Sequence, residues 1–181
     1  MSRLQVIDPS TASGKAKDLL DAVKSKLGLV PNMTKVMANS PEVLEAYLGF
    51  SGALSAGLLD PKVREQIALL TAQQNHCNYC LSAHTTIGKM VGLNQEQTVA
   101  SRQGHGGSEK ATAALTFAKR VLESKGQISE PDIQSARTAG LSDGEIAEVI
   151  AHVALNVFTN YFNIATDVGI DFPKVSHSEI A

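Results

Sequence analysis

The sequence predicts an all-α protein, on three observations. Signals that begin and end helices recur along the whole chain, apolar residues return every three or four positions, and no segment alternates polar and apolar residues at a spacing of two. Alanine, leucine and valine supply most of the apolar fraction of 43%, and tryptophan is absent. Such side chains favour close contact between helices. We therefore expect about seven or eight helices and no significant sheet.

In the first half of the chain, each predicted helix is marked by a cap residue, a proline or a glycine. Ser40-Pro41 and Asp60-Pro61 each place a capping side chain directly before a proline at the first helical position. Gly28 follows an apolar stripe and ends the first helix. The predicted elements are helices at 13–27, 41–56 and 61–74, one short helical turn at 33–38, and a helix that begins at Asn75 or His76 and ends at Gly92.

The second half of the chain repeats these signals. Ser142 and Glu145 form a capping box for the longest helix, in which isoleucine and valine return at helical spacing. The predicted helices lie at 94–101, 109–125, 130–138 and 143–167. A polar ridge interrupts the apolar stripe of the longest helix, and its members are His152, Asn156, Asn160 and Asn163. Such groups can line a pocket, but more often they hydrogen-bond across an interface of helices or subunits, which we favour.

Length and charge exclude several classes of protein. The 181 residues suit a single domain over 1–181, with its core of reactive residues at about 60–92 and a C-terminal tail at 170–181. The net charge is −2 and the basic residues form no run, which excludes the usual nucleic-acid-binding surface. No apolar run reaches the roughly 18 residues that a membrane-spanning helix needs. The N-terminal residues lack the features of a signal peptide, so we expect a cytoplasmic protein.

The two cysteines of the chain, Cys77 and Cys80, form a C-x-x-C pair that His84 follows. If their helix begins just before Cys77, that residue lies in the first turn, where free N–H groups and the helix dipole stabilise a thiolate. Cys80 and His84 then lie one turn apart on the same stripe. Glu65, on the preceding helix, can approach His84 or Cys80 if the two helices are antiparallel. The cluster indicates redox chemistry, in which two thiols bond reversibly beside an imidazole that transfers protons.

Two plainer interpretations of these residues stay open. The cysteines can be two small buried side chains. Alternatively, Cys77, Cys80 and His84 can bind zinc, with His76 or His105 as the fourth ligand. Structural zinc sites usually draw their ligands from two separated segments, and one segment is visible here, which disfavours zinc.

The spacing of these residues resembles that of the AhpD-like alkylhydroperoxidase family, part of the carboxymuconolactone decarboxylase superfamily. The match is Glu65, eleven residues, Cys77-Asn78-Tyr79-Cys80, three residues, and His84. Three further segments resemble a peroxidase-related branch of that family, and they lie at 29–32, 156–163 and 171–173. The resemblance implies an all-helical, AhpD-like fold and a homo-oligomer, often a trimer or a hexamer.

The resemblance also implies an activity, that of a thiol-dependent hydroperoxide reductase that cycles through a Cys77–Cys80 disulfide. Cys80 would be the peroxidatic thiol, Cys77 the resolving thiol, and Glu65 with His84 the proton relay. No bound cofactor or metal is expected, and an external dithiol would supply electrons, as a lipoyl-bearing partner does in such relatives. In the best-known members a second histidine stands at the position of Tyr79, so the relay is altered here.

Two other functions remain as alternatives. One is a lyase of the carboxymuconolactone decarboxylase type, against which the cysteine pair argues, because the decarboxylase relatives lack it. The other is a non-enzymatic oligomer that responds to redox state or binds zinc.

Overall fold

The computed structural model describes residues 2–179, and within them the chain forms nine α-helices and no strand. The helices are α1 (Gly14–Leu27), α2 (Asn32–Met37), α3 (Pro41–Ser55), α4 (Pro61–Gln74), α5 (Asn78–Met90), α6 (Gln95–Arg102), α7 (Glu109–Ser124), α8 (Glu130–Thr138) and α9 (Asp143–Thr166). The all-α prediction is confirmed. The helix count exceeds the predicted seven or eight because the turn expected near residue 33 is a complete short helix, α2. None of these nine helices is long and apolar enough to cross a lipid bilayer.

Residues 1, 180 and 181 belong to the predicted domain or tail and lie outside the described residues. Most helix starts lie where the capping residues predicted them. A side-chain oxygen directly before each of these helices accepts a hydrogen bond from a backbone N–H of the first turn. The capping residues are Ser40, Asp60, Asn94, Ser108, Ser129 and Ser142.

The start of α5 differs from the prediction, because the helix begins at Asn78 and not at Asn75 or His76. Asn75 ends α4, and His76 adopts a left-handed conformation with φ of 56°. Cys77 follows with extended backbone angles, so it precedes the helix as its N-cap residue. The chain therefore reverses within a very short connection, and α4 and α5 lie against each other as an antiparallel pair.

Helix α4 lies at the centre of the molecule, in contact with α5, α6, α7 and α9. Seven consecutive residues of α4, from 66 to 72, are buried, so the helix is covered on all sides there. Leu69 belongs to an apolar cluster that includes both cysteines, whereas Ile67 and Leu70 belong to a second cluster with α7 and α9. A helix buried in this way holds its polar side chains in fixed positions.

The C-terminal tail returns across the beginning of α5. The backbone N–H of Val175 donates to Ser82 Oγ at 2.9 Å, and that of His177 donates to Asn78 Oδ1 at 2.9 Å. Nearer α9, the Asp171 carboxylate accepts from the backbone N–H of Asn32. The tail thus covers the turn that carries the cysteines.

Candidate active site

The two cysteines are buried and joined by a disulfide bond. Their Cα atoms are 5.3 Å apart, and the residues are 1% and 3% exposed. Cys77 Sγ accepts a hydrogen bond from the backbone N–H of Cys80 at 3.3 Å, in the way a serine oxygen caps a helix. The helix N-terminus therefore acts on the sulfur of Cys77. An oxidised pair at this position is one half of a dithiol–disulfide couple.

Glu65 and His84 meet because α4 and α5 are antiparallel. Glu65 Oε2 lies 2.8 Å from His84 Nδ1, and the two side chains are 17% and 22% exposed. Of the two partners that spacing allowed for Glu65, the structure selects His84. A carboxylate that accepts from Nδ1–H orients the ring and leaves Nε2 free to exchange a proton with a substrate.

In the part of the chain that the structure describes, the imidazole of His84 is hydrogen-bonded to Glu65 and not to a sulfur. Among the residues that the structure describes, His84 makes no hydrogen bond to either sulfur, although it lies one turn beyond Cys80 on α5. A water molecule or an oxygen of the substrate can carry a proton between His84 and Cys80.

Tyr79, between the two cysteines, faces the core. Its hydroxyl accepts a hydrogen bond from the backbone N–H of Met33 at 3.1 Å, and its ring meets Phe172 edge to face at 5.8 Å. Burial raises the pKa of the Tyr79 phenol, and the charge of nearby Asp171 raises it further. Tyr79 therefore joins α2 and the tail to α5 as a neutral structural residue.

The variant Tyr79→Phe tests this assignment. We expect its free energy of unfolding in urea to fall by about 1–2 kcal/mol, because the buried N–H of Met33 loses its acceptor. The reactivity of the cysteines should not change. Slower thiol oxidation in Tyr79→Phe at unchanged stability would instead assign the hydroxyl to the site.

Two further titratable side chains lie near the Glu65–His84 pair. Tyr47 of α3 is close enough to Glu65 that burial, together with the Glu65 charge, raises the pKa of its phenol to about 12. His152 of α9 is buried, which lowers the pKa of its imidazole, and Arg64 lowers it further against the opposing charges of Glu148 and Glu65. Sequence reasoning missed Tyr47, because its spacing placed it in the apolar stripe of α3.

The polar ridge on α9 is buried inside the chain. Asn160 Oδ1 accepts from Asn75 Nδ2 at 3.0 Å, a bond between α9 and the end of α4, so the ridge forms an interface of helices. Asn163 Nδ2 donates to Cys80 Sγ at 3.3 Å and to Met33 Sδ at 3.2 Å. Sequence reasoning identified the ridge without connecting it to the cysteines. The sequence signal for this contact is the presence of asparagine at core-facing positions of an otherwise apolar helix.

The residues named for a zinc site do not assemble. His76 stacks on His177, with ring centroids 4.6 Å apart, and His84 faces Glu65. Within residues 2–179, no group of three or more histidine, cysteine, aspartate or glutamate side chains is arranged to hold a metal ion.

The chain is similar to one protein family and to several solved structures. Residues 41–120 match the carboxymuconolactone decarboxylase family. An uncharacterized peroxidase-related protein from Ralstonia eutropha JMP134, described as an alkylhydroperoxidase AhpD core, is 25% identical with a TM-score of 0.81, over 95% of this chain and 92% of that one. An uncharacterized peroxidase-related protein from Silicibacter sp. TM1040 is 22% identical with a TM-score of 0.77, over 100% of both chains.

The same fold occurs in the debrominase Bmp8, of which a cysteine-to-alanine variant has been solved in complex with 2,3,4-tribromopyrrole. That structure is 20% identical with a TM-score of 0.76, over 93% of this chain and 91% of that one. No curated protein matches the sequence significantly.

Proposed function

We propose that the chain belongs to the carboxymuconolactone decarboxylase superfamily, in its AhpD-like, peroxidase-related branch, and that it is a thiol-dependent hydroperoxide reductase. The observation that carries the proposal is the buried Cys77–Cys80 disulfide beside the Glu65–His84 pair. A dithiol supplies the two electrons that cleave an O–O bond. A carboxylate–imidazole pair supplies the proton that the leaving oxygen requires.

In the first step, the Cys80 thiol gives its proton to His84, and the resulting thiolate attacks the terminal oxygen of the hydroperoxide. The S–O bond forms as the O–O bond breaks, and the leaving alkoxide takes a proton from His84 to become an alcohol. Cys80 is oxidised to a sulfenic acid, and Glu65 stabilises the charge changes of the imidazole. Since His84 has no direct bond to the sulfur, the bound hydroperoxide supplies the oxygen that lies between them.

In the second step, the Cys77 thiol attacks the sulfenic sulfur of Cys80. The disulfide forms and water leaves, with the thiol proton on the departing oxygen. An external dithiol then attacks Cys77 and restores both thiols as it becomes a disulfide itself. The net reaction converts one hydroperoxide and one dithiol into an alcohol, water and a disulfide. Small organic hydroperoxides and hydrogen peroxide are the expected substrates, and a lipoyl-type dithiol is a suitable donor.

We also propose that the chain works as a homo-oligomer, a trimer or a hexamer. An exposed apolar face on α9 supports assembly, because side chains of this size at the surface favour contact with a second copy. Its large residues are Ile150, Phe158, Tyr161 and Ile164.

A single-turnover experiment tests the proposed function. Protein reduced with dithiothreitol and freed of reductant is mixed with one equivalent of cumene hydroperoxide. We expect loss of two thiols per chain and formation of one equivalent of the alcohol. A rate no greater than that of free dithiothreitol at the same thiol concentration would refute the proposal. Lactone decarboxylation that survives loss of both thiols would favour the lyase.

Reductive debromination is a second candidate, and the likeness to the debrominase fold favours it. The same cysteine pair can supply its electrons. A thiolate takes the bromine from the ring, a proton replaces the bromine, and the second thiol displaces bromide to form the disulfide. Bromide release from 2,3,4-tribromopyrrole by the reduced protein, measured beside the cumene hydroperoxide assay, decides between the two substrates.

A further inference from the structure

We propose that Asn163 is a catalytic residue that stabilises the Cys80 thiolate through a hydrogen bond from its side-chain amide. The inference rests on the proposed function in assigning the attack to Cys80. It adds a residue that neither the C-x-x-C pair nor the Glu65–His84 pair includes. The two sulfurs differ in the group that donates a hydrogen bond to each of them.

The helix N-terminus does not explain why Cys80 should be the more reactive sulfur. Cys77 caps α5 and receives the backbone N–H of Cys80, so the fixed donor of the first turn serves the resolving sulfur. Within residues 2–179, the hydrogen bond that reaches Cys80 Sγ comes from Asn163 Nδ2, at 3.3 Å. Each sulfur thus has its own donor, and Asn163 is the donor for the sulfur that must ionise to attack.

The orientation of the Asn163 amide is set by two sulfurs. Its Nδ2 lies 3.3 Å from Cys80 Sγ and 3.2 Å from Met33 Sδ, so the two amide hydrogens have one acceptor each. The reverse orientation would place a carbonyl oxygen against two acceptors. In the observed orientation Oδ1 is buried, with no hydrogen-bond partner among the described residues. An unpaired buried oxygen is unfavourable, so this orientation needs a compensating interaction, which the two sulfur acceptors of Nδ2 provide.

The hydrogen bond from Asn163 to Cys80 should become stronger when the cysteine pair is reduced. A disulfide sulfur is a weak acceptor, whereas a thiolate accepts a charge-assisted hydrogen bond, which is shorter and stronger. Because Asn163 is 3% exposed, water competes little for the amide. A donor that binds the charged form of an acid lowers its pKa. Asn163 is also neutral, so it stabilises the thiolate without forming an ion pair that would weaken its nucleophilicity.

Several titratable side chains lie on the elements that pack around Cys80. They are Tyr47 on α3, Glu65 on α4, Tyr79 and His84 on α5, His152 on α9, and Asp171 and His177 in the tail. All of them are unchanged when Asn163 is replaced by alanine, so the difference between that variant and the parent protein reports the loss of the amide.

The test measures the pKa of Cys80 in the Cys77→Ser protein, where serine retains the helix cap and leaves one thiol. The rate of alkylation by iodoacetamide is followed across the thiol titration range. We expect Asn163→Ala to raise the pKa by about one unit, so that alkylation near pH 7 slows about tenfold. Asn163→Asp retains the size of the side chain, lacks the donor and adds a like charge, so it should raise the pKa further.

Asn156→Ala is the matched control, since Asn156 is similarly buried on α9 and donates to the backbone of His152 instead of to a sulfur. A pKa that is the same in the Asn163 variants and this control overturns the inference. Should both Asn163 variants fail to fold, NMR of the Cys77→Ser protein decides. The Asn163 amide resonance should titrate together with Cys80, and an unmoved resonance overturns the inference. Neither measurement requires peroxide turnover, so an inactive protein would refute the proposed function alone.

Discussion

Replacing Cys80 by serine is expected to lower the rate of hydroperoxide reduction by at least about a thousandfold. The thiolate of Cys80 is the nucleophile of the proposed first step, and loss of a nucleophile commonly costs an enzyme that much or more. A serine hydroxyl stays protonated at neutral pH, and it forms neither a sulfenic acid nor a disulfide. The measurement is the second-order rate constant for cumene hydroperoxide with the fully reduced protein.

Cys77→Ser is the matched control for this prediction. It removes the resolving thiol and leaves the attacking one, so it should complete one turnover and stop at a sulfenic acid, which dimedone labels on Cys80. Further cycles with dithiothreitol should be slow. If Cys77→Ser loses the first turnover while Cys80→Ser retains it, the proposed roles of the two cysteines are reversed. Equal rates in wild type and both variants would exclude thiol chemistry.

Glu65→Gln is expected to lower the rate constant for hydroperoxide reduction by about a hundredfold, within the usual range for loss of general acid–base catalysis. The amide of glutamine fits the same space but carries no charge. It therefore neither stabilises a protonated His84 ring nor accepts from Nδ1–H as strongly as the carboxylate at 2.8 Å does. The measurement is the single-turnover rate with cumene hydroperoxide as a function of pH.

Glu123→Gln, on the exposed face of α7, is the control for charge removal and should not change the rate. The double variant Glu65→Gln, His84→Asn gives a sharper test of the pair as a unit. If the two residues form one relay, the double variant should be no slower than the slower single variant. Additive losses would mean that Glu65 and His84 act separately.

Sequence patterns predicted most helix boundaries because the signals that set them are local. Ser142 and Glu145 cap α9 through backbone groups three residues away, so the capping box was readable directly. The sequence predicts a start of α5 at Asn75 or His76, earlier than the observed Asn78, because the left-handed position is occupied by His76 and not by a glycine or asparagine that would mark it. The sequence therefore predicts Cys77 inside the first turn of α5. In the structure, Cys77 precedes the helix and its sulfur caps the first turn.

Contacts inside the site depended on packing that no local pattern encodes. Spacing allowed Glu65 to reach either His84 or Cys80, and the antiparallel contact of α4 with α5 selects His84. Tyr79 could face the cysteines or the core, and the position of Met33 at the start of α2 selects the core. Asn163 lies 83 residues from Cys80, whose sulfur it contacts. No local sequence pattern predicts that contact, because it depends on how α9 packs against α5.

The helical class and the reactive pair follow from the order of residues along the chain, because caps, apolar periodicity and a C-x-x-C spacing act over one or two turns. The identity of each sulfur's hydrogen-bond donor follows from how α4, α5 and α9 are arranged in space. Hydrogen bonds to a buried sulfur require atoms within a few ångströms, and side-chain packing around α4 sets those distances.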